Sequence, residues 1–291
     1  MAGAILRGEV RKGGGAPLRG MTGRSLHDAL LCVLTDGELR RRLMDDDPTL
    51  AEALGGKEAE TLKRAHPERL QRLARFMARH FYRERIVRLF RYSRALLVAA
   101  GRDALDVLES TAFRSMLDSA VLGSPAAADS VARLVEARLL RDLADRPFGA
   151  ALVRYEGTLF RVEAGPRRWQ AAIAPRNGTP VRSVHARIIE LDWNLTPLIA
   201  GLRAGAASPP DPVRDPTQLL VALSPRGRVT AIRCSLVVLR LLDALDGQTG
   251  TAEAAAAAGL SEAEATLLLS RLTDIGAVEW NPITGNRPPS A

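Results

Sequence analysis

The sequence predicts an α+β protein: an N-terminal helical domain, then an α/β region that closes with two strands, three helices and a returning strand. Three observations carry that expectation. From Ser25 to about Arg146, helix signals follow one another with little interruption. At Pro147 the texture changes to short alternating runs, which predict strands. From Thr217 onward, capping and turn residues punctuate almost every segment. The expected boundaries are a flexible N-terminus over 1–24, a helical domain over 25–147, a β-rich connecting region over 148–215, the closing module over 216–281 and a tail over 282–291.

The 291 residues suffice for two cores, and 46% hydrophobic with 25% charged residues is ordinary for a globular chain. The first twenty residues are broken by charge and glycine, so no apolar signal-peptide core is expected, and no run approaches the roughly 18 apolar residues of a membrane span. These features predict a cytoplasmic protein with no membrane partner. Net charge is +8 and the pI is near 10.4. Only three of the 41 basic residues are lysines (Lys12, Lys57 and Lys63), and this arginine bias, beside so many alanines, is what a GC-rich coding sequence gives. Charge alone therefore does not assign a nucleic-acid partner.

Within the helical half, Asp47 is the expected N-cap of a helix beginning at Pro48 and stopping at Gly55. Further helices are expected over Ala65–Val98, Arg102–Val121 and Ala126–Ala144, the last two separated by GSPAAADS. In ALVRYEGTLFRVEAG, two alternating runs flank Glu156-Gly157 and predict a hairpin. VRSVHARIIELDWNLTPLIAGLRAG predicts a strand to about Leu191 and a short helix capped by Thr196, and the proline-rich GAASPPDPVRDP then connects to the closing module.

In that module, Gln218–Leu223 and Arg228–Arg233 are expected as strands joined by Ser224-Pro225-Arg226-Gly227. Ser235 caps a helix with Leu236, Leu239, Leu242 and Leu245 on one stripe, ended by Gly247. A second helix runs from Thr251 to Ala258 and stops at Gly259; a third opens with Ser261 and Glu264, a capping box. Ala277, Val278 and Trp280 return as a strand, completing the order of a winged helix. A DNA-reading winged helix projects basic and amide side chains from its third helix. Here that helix carries Glu262, Glu264 and Asp274 against Arg271, and the module holds five arginines against seven acids, which argues against nucleic acid. An open edge on Arg228–Arg233 would instead let an extended peptide add by main-chain hydrogen bonding beside the third helix. A DNA-binding transcriptional regulator remains the alternative use of the same shape.

The segment LLVALSPRGRVTAIRCSLVVLRLLDALDGQTGTAEAAAAAGLSEAEATLLLSRLTDIGAVEW resembles the recognition element of ribosomally made, modified peptide (RiPP) pathways, in the style of the small pyrroloquinoline-quinone carrier protein. The likeness lies in the hairpin, in LLDALDGQTGTAEAA, and in L-x-x-x-G-x-V at Leu272, Gly276 and Val278. Proteins of that family hold a leader peptide between the last hairpin strand and the third helix. The resemblance thus implies a winged-helix RiPP recognition element whose peptide site comprises Arg228, Val229, Thr230, Ala231, Ile232 and Arg233, with Leu268, Leu269 and Leu272 from the third helix. LARFMARHFYRERIVRLFRYSRALLVAAGRDAL and FRSMLDSAVLGSPAAADSVARLV are similar to partner subunits of multinuclear non-haem iron oxidases (MNIOs), as in methanobactin and thiaglutamate biosynthesis. The two resemblances lie between Leu73 and Trp280 and rest on patterns of residue size and turn chemistry. They imply a non-catalytic subunit that binds a ribosomal precursor peptide and works with an iron oxidase. The resemblance implies no cofactor in this chain and places the expected iron in the partner enzyme.

The residues agree with that division of labour, since no HExxH, GxSxG, GxxxxGK[ST] or dinucleotide fingerprint is present. His27, His66, His80 and His185 are scattered, Cys32 and Cys234 form no ligand pair, and Asp45, Asp46 and Asp47 are expected at a helix start rather than on a metal. The stretch RHFYRERIVRLFRY concentrates charge: Lys63 to Arg94 holds eleven basic residues against Glu68 and Glu84. Its apolar residues change sides near Tyr82, as in a central helix packed between elements or bent, with the aromatics in the core. Arg72, Arg79 and Arg83 are the expected docking residues for an acidic partner protein.

Overall fold

The computed structural model describes residues 25–98, 101–164, 178–206 and 208–282, so the expected flexible N-terminus and all but the first residue of the expected tail lie outside the described residues. Among the described residues the architecture is mixed, with helices and two small antiparallel sheets.

Helices α1 (Leu26–Thr35), α2 (Gly37–Met44), α3 (Leu50–Leu54) and α4 (Gly56–Arg64) enclose a first core with the N-terminal half of α5 (Pro67–Leu89). Ser25 caps α1 through the Asp28 amide, and Asp36 caps α2 through the amides of Glu38 and Leu39. Asp47 is not the N-cap of α3; Thr49 holds that position, and the Asp47 carboxylate accepts from the Thr49 amide at 2.8 Å and its hydroxyl at 2.6 Å. Its neighbours are paired separately, Asp45 with Arg41 and Asp46 with Lys63, so the three carboxylates diverge.

Arg40 is buried in this core. It donates to the carbonyls of Val33 (3.1 Å), Leu34 (2.9 Å) and Leu117 (2.6 Å), so one guanidinium satisfies carbonyls at two helix ends. Arg40→Met keeps the volume but leaves three carbonyls short of a donor, and is expected to lower unfolding stability by about 2–3 kcal/mol in urea titration.

The second core lies between the C-terminal half of α5, a 3₁₀ turn (Ala104–Glu109), α7 (Thr111–Leu117), α8 (Pro125–Asp142) and α9 (Gly149–Glu163). The single helix expected over Arg102–Val121 is two pieces, because Ser110 ends the 3₁₀ turn and caps α7 through the Phe113 amide. The expected helix over Ala65–Val98 likewise divides at Phe90 into α5 and α6 (Arg91–Val98). Tyr82, Phe90 and Phe113 are fully buried with Phe160; Tyr82 meets Phe113 edge-on at 6.0 Å, and Phe90 lies 5.6 Å from Phe160.

The hairpin expected at Glu156-Gly157 is absent; both residues lie inside α9. This helix is covered on nearly all sides, so it lacks the one-sided stripe by which a surface helix is read. Gly157 serves close packing: a Cβ there would meet the Glu136 carboxylate, which Arg161 grips with bonds of 2.5 and 2.7 Å. The connecting region is therefore helix-rich at its start, and α9 contributes to two cores.

After α9 come β1 (Gly178–Arg182), β2 (Arg187–Leu191), α10 (Thr196–Arg203), β3 (Thr217–Leu223), β4 (Val229–Arg233), α11 (Leu236–Asp243), α12 (Thr251–Ala258), α13 (Glu262–Asp274) and β5 (Val278–Pro282). The strand expected to run to Leu191 is interrupted by a turn, giving β1 and β2. The antiparallel sheet has the order β2-β3-β4. Its period-2 alternation sends Ile189, Leu219, Val221, Leu223, Val229 and Ala231 into a core with α9 and α10, while Ile188, Leu220, Ala222 and Ile232 enter a core with α11, α12 and α13. Both faces are thus covered by helices. β5 pairs with β1, not with the β3–β4 hairpin.

Candidate functional site

Local chemistry builds the C-terminal module. The Ser235 hydroxyl accepts from the Val238 amide, Gly259 ends α12 with φ +73°, and Ser261 and Glu264 close their capping box in both directions. Leu236 departs from its expected stripe and is exposed, whereas Leu242 and Leu245 are buried.

The register of β4 decides which of its amides are available. Ser224 donates to the Arg228 carbonyl at 2.8 Å and Cys234 to the Gln218 carbonyl at 2.9 Å, and Leu220 stands opposite Ile232. In an antiparallel pair, residues that exchange bonds alternate with residues that do not. Arg228, Thr230, Ile232 and Cys234 therefore point their main-chain groups inward at β3. Val229, Ala231 and Arg233 point theirs at the opposite edge, where no strand pairs among the described residues.

Of the expected peptide-site residues, Val229, Thr230, Ala231 and Ile232 are half-buried, and Arg228 and Arg233 are exposed, with Arg233 3.4 Å from Asp215. Leu268 is half-buried and belongs to the margin of the same core as Ile232. Leu269 and Leu272 are 0% and 1% exposed, so they support the core beneath rather than a surface that a peptide could touch. Leu267, 57% exposed on α13, is an apolar surface residue that sequence reasoning passed over, since a leucine run does not say which member faces out. The other exposed side chains of α13 include Glu262, Glu264, Thr266, Arg271 and Asp274. Burial pushes the Cys234 thiol above its ordinary value, holding it as a thiol rather than a nucleophilic thiolate.

The three expected docking arginines differ in their commitments. Arg79 pairs with Glu109 and donates to the Leu108 carbonyl at 3.3 Å. Arg72 and Arg83 are exposed and form no ion pair among the described residues.

Two buried carboxylates lie on α9. Glu156 accepts from the amides of Tyr92 (2.7 Å) and Ser93 (3.0 Å), capping the start of α6 from across the core. Burial raises its pKa to about 7 despite those donors. Glu163 receives Arg88 at 2.7 Å. Among the described residues no three His, Cys, Asp or Glu side chains are grouped to hold a metal ion, and no helix is long and apolar enough to cross a membrane. No protein-family model matches the chain, and no curated protein is significantly similar to it.

Proposed function

We propose that this chain is a non-catalytic RiPP-biosynthesis subunit that binds a precursor's leader peptide by strand addition to β4. It then presents the peptide's core to a multinuclear iron-dependent oxidative enzyme, which holds the iron. The observation that carries this reading is the outward set of N–H and C=O groups at Val229, Ala231 and Arg233, on an edge without a strand partner among the described residues. An added strand gains main-chain bonds there, and its alternate side chains supply specificity. The acidic surface of α13 favours a peptide over nucleic acid, which would need phosphate neutralisation.

The register also selects the test. Ile232→Pro would remove a bond to β3 and damage the hairpin itself. Ala231→Pro removes only an outward donor, and an edge strand tolerates it. Where a short reading frame lies beside this gene, the N-terminal segment it encodes is the probe, titrated into the full chain; a neighbourhood with no such frame and no iron oxidase gene would count against the reading. Ala231→Pro is expected to keep its circular dichroism and lose leader binding by at least about tenfold. Unchanged affinity in that folded variant would sink the edge mechanism, and salt-sensitive binding of random duplex DNA would favour a regulator instead.

A further inference from the structure

We propose that the outward face of α5 is a docking site for an acidic amphipathic helix of another protein. Along this helix the buried positions are Leu70, Ala74, Ala78, Tyr82 and Ile86. The opposite side should then be polar, yet Phe76 is 68% exposed, Leu73 44% and Val87 41%. At 3.6 residues per turn, Leu73, Phe76, His80 and Val87 fall within one sector, and Arg69, Arg72 and Arg83 share it, the whole arc spanning roughly 100°. The spacing of Leu73, Phe76, His80 and Val87 is that of a seam into which a second helix packs. An aromatic side chain at the centre of such a ridge, ringed by charge, has the composition of an interface anchor.

Charge identifies the occupant. Arg69, Arg72 and Arg83 are exposed and form no ion pair among the described residues. A second copy meeting this face with its own α5 would oppose arginine with arginine, and one meeting it with the acidic surface of α13 is the outcome that the dimer arm of the test reads. Segments of the chain outside the described residues are basic as well: 1–24 carries five basic residues against one acid, and 165–177 carries three with none. Neither complements the face. Nucleic acid would satisfy the arginines but leave the ridge of Leu73, Phe76 and Val87 uncovered. A helix with an apolar stripe edged by glutamate or aspartate meets both requirements. This inference stands on α5 alone and does not depend on peptide capture at β4.

The test uses the full chain and two labelled synthetic helices with the same leucine and isoleucine stripe, one edged by glutamate and one by lysine. The glutamate helix is expected to bind and the lysine helix not, with binding weakened by added salt. Phe76→Ser is expected to weaken it about tenfold. Reversing the three charges together, Arg69→Glu, Arg72→Glu and Arg83→Glu, is expected to switch preference to the lysine helix. These side chains face solvent, so the variants should retain the wild-type fold, checked by circular dichroism. Equal binding of both helices, or an unchanged preference after reversal, would overturn the proposal. So would duplex DNA displacing the helix, or a wild-type dimer that Phe76→Ser dissolves. Leader titration of the α5 variants separates the two readings: intact leader binding with lost helix binding places the two functions on different faces.

Discussion

Gly276→Ala is expected to destabilise the chain by at least about 3 kcal/mol, read as a lower urea midpoint. Two effects act at once. Gly276 has φ +79°, a left-handed conformation that costs a side-chain-bearing residue roughly 1 kcal/mol, and an added Cβ would lie 2.0 Å from the Leu223 carbonyl oxygen. That oxygen belongs to the backbone at the end of β3 and has little room to yield. Gly259→Ala isolates the first effect, since its φ is +73° with nothing within 4 Å, and about 1 kcal/mol is expected. If the two alanines lowered stability equally, the close approach of the α13–β5 turn to β3 would carry no weight. The glycine of L-x-x-x-G-x-V thereby acquires a physical role, which is to seat the third helix against the hairpin.

Glu156 should make the chain less stable as pH rises from about 4.5 through about 7. Its folded pKa, about 7, lies above the ordinary glutamate value of 4.5, so the folded state holds a proton that the unfolded chain has released. Its stabilising contribution is fully present below pH 4.5 and lost as pH rises through 7. The span corresponds to about 3 kcal/mol at 1.36 kcal/mol per unit. Glu156→Gln cannot ionise and is expected to flatten that slope in urea titrations at pH 5 and pH 8. A glutamine variant with the wild-type slope would assign the effect to other groups. Glu156→Ala leaves the Tyr92 and Ser93 amides without their acceptor and is expected to lose about 2–4 kcal/mol at either pH.

The closing module was the most legible part of the sequence because its punctuation is local. Ser235, Gly259 and the Ser261/Glu264 pair each satisfy backbone groups within a few residues, so spacing alone announces them. The break at Phe90 has no such signal: neither glycine nor proline marks it, and the acceptor that starts α6 is Glu156, 64 residues away in sequence. The same distance problem explains α9. Its Gly157 answers to Glu136 on α8, not to a turn, and its all-round burial erases the periodicity that would have marked a helix. At the candidate site, sequence located the edge strand but not its parity. Whether Ala231 or Ile232 faces outward depends on the pairing with β3, which a one-residue shift would invert. On α5, counting arginines found the charged helix and missed that Phe76 stands among them facing out.

The pairing of β5 with β1 has a bearing on how the chain reaches its native state. Arg182 and Val278 face each other across this ribbon, which in an otherwise unfolded chain closes a loop of about a hundred residues at an entropic cost on the order of 4 kcal/mol. Contacts such as α12 with α13 and β3 with β4 need only short loops and can form early, leaving the ribbon to be made late and opened first. A fragment beginning at residue 216 would lack both β1 and β2, leaving β5 without its strand partner and β3 with an open edge in addition to that of β4. The natural unit for isolating the module therefore starts before Gly178, and the ribbon acts as the latch that commits the last strand to the rest of the molecule.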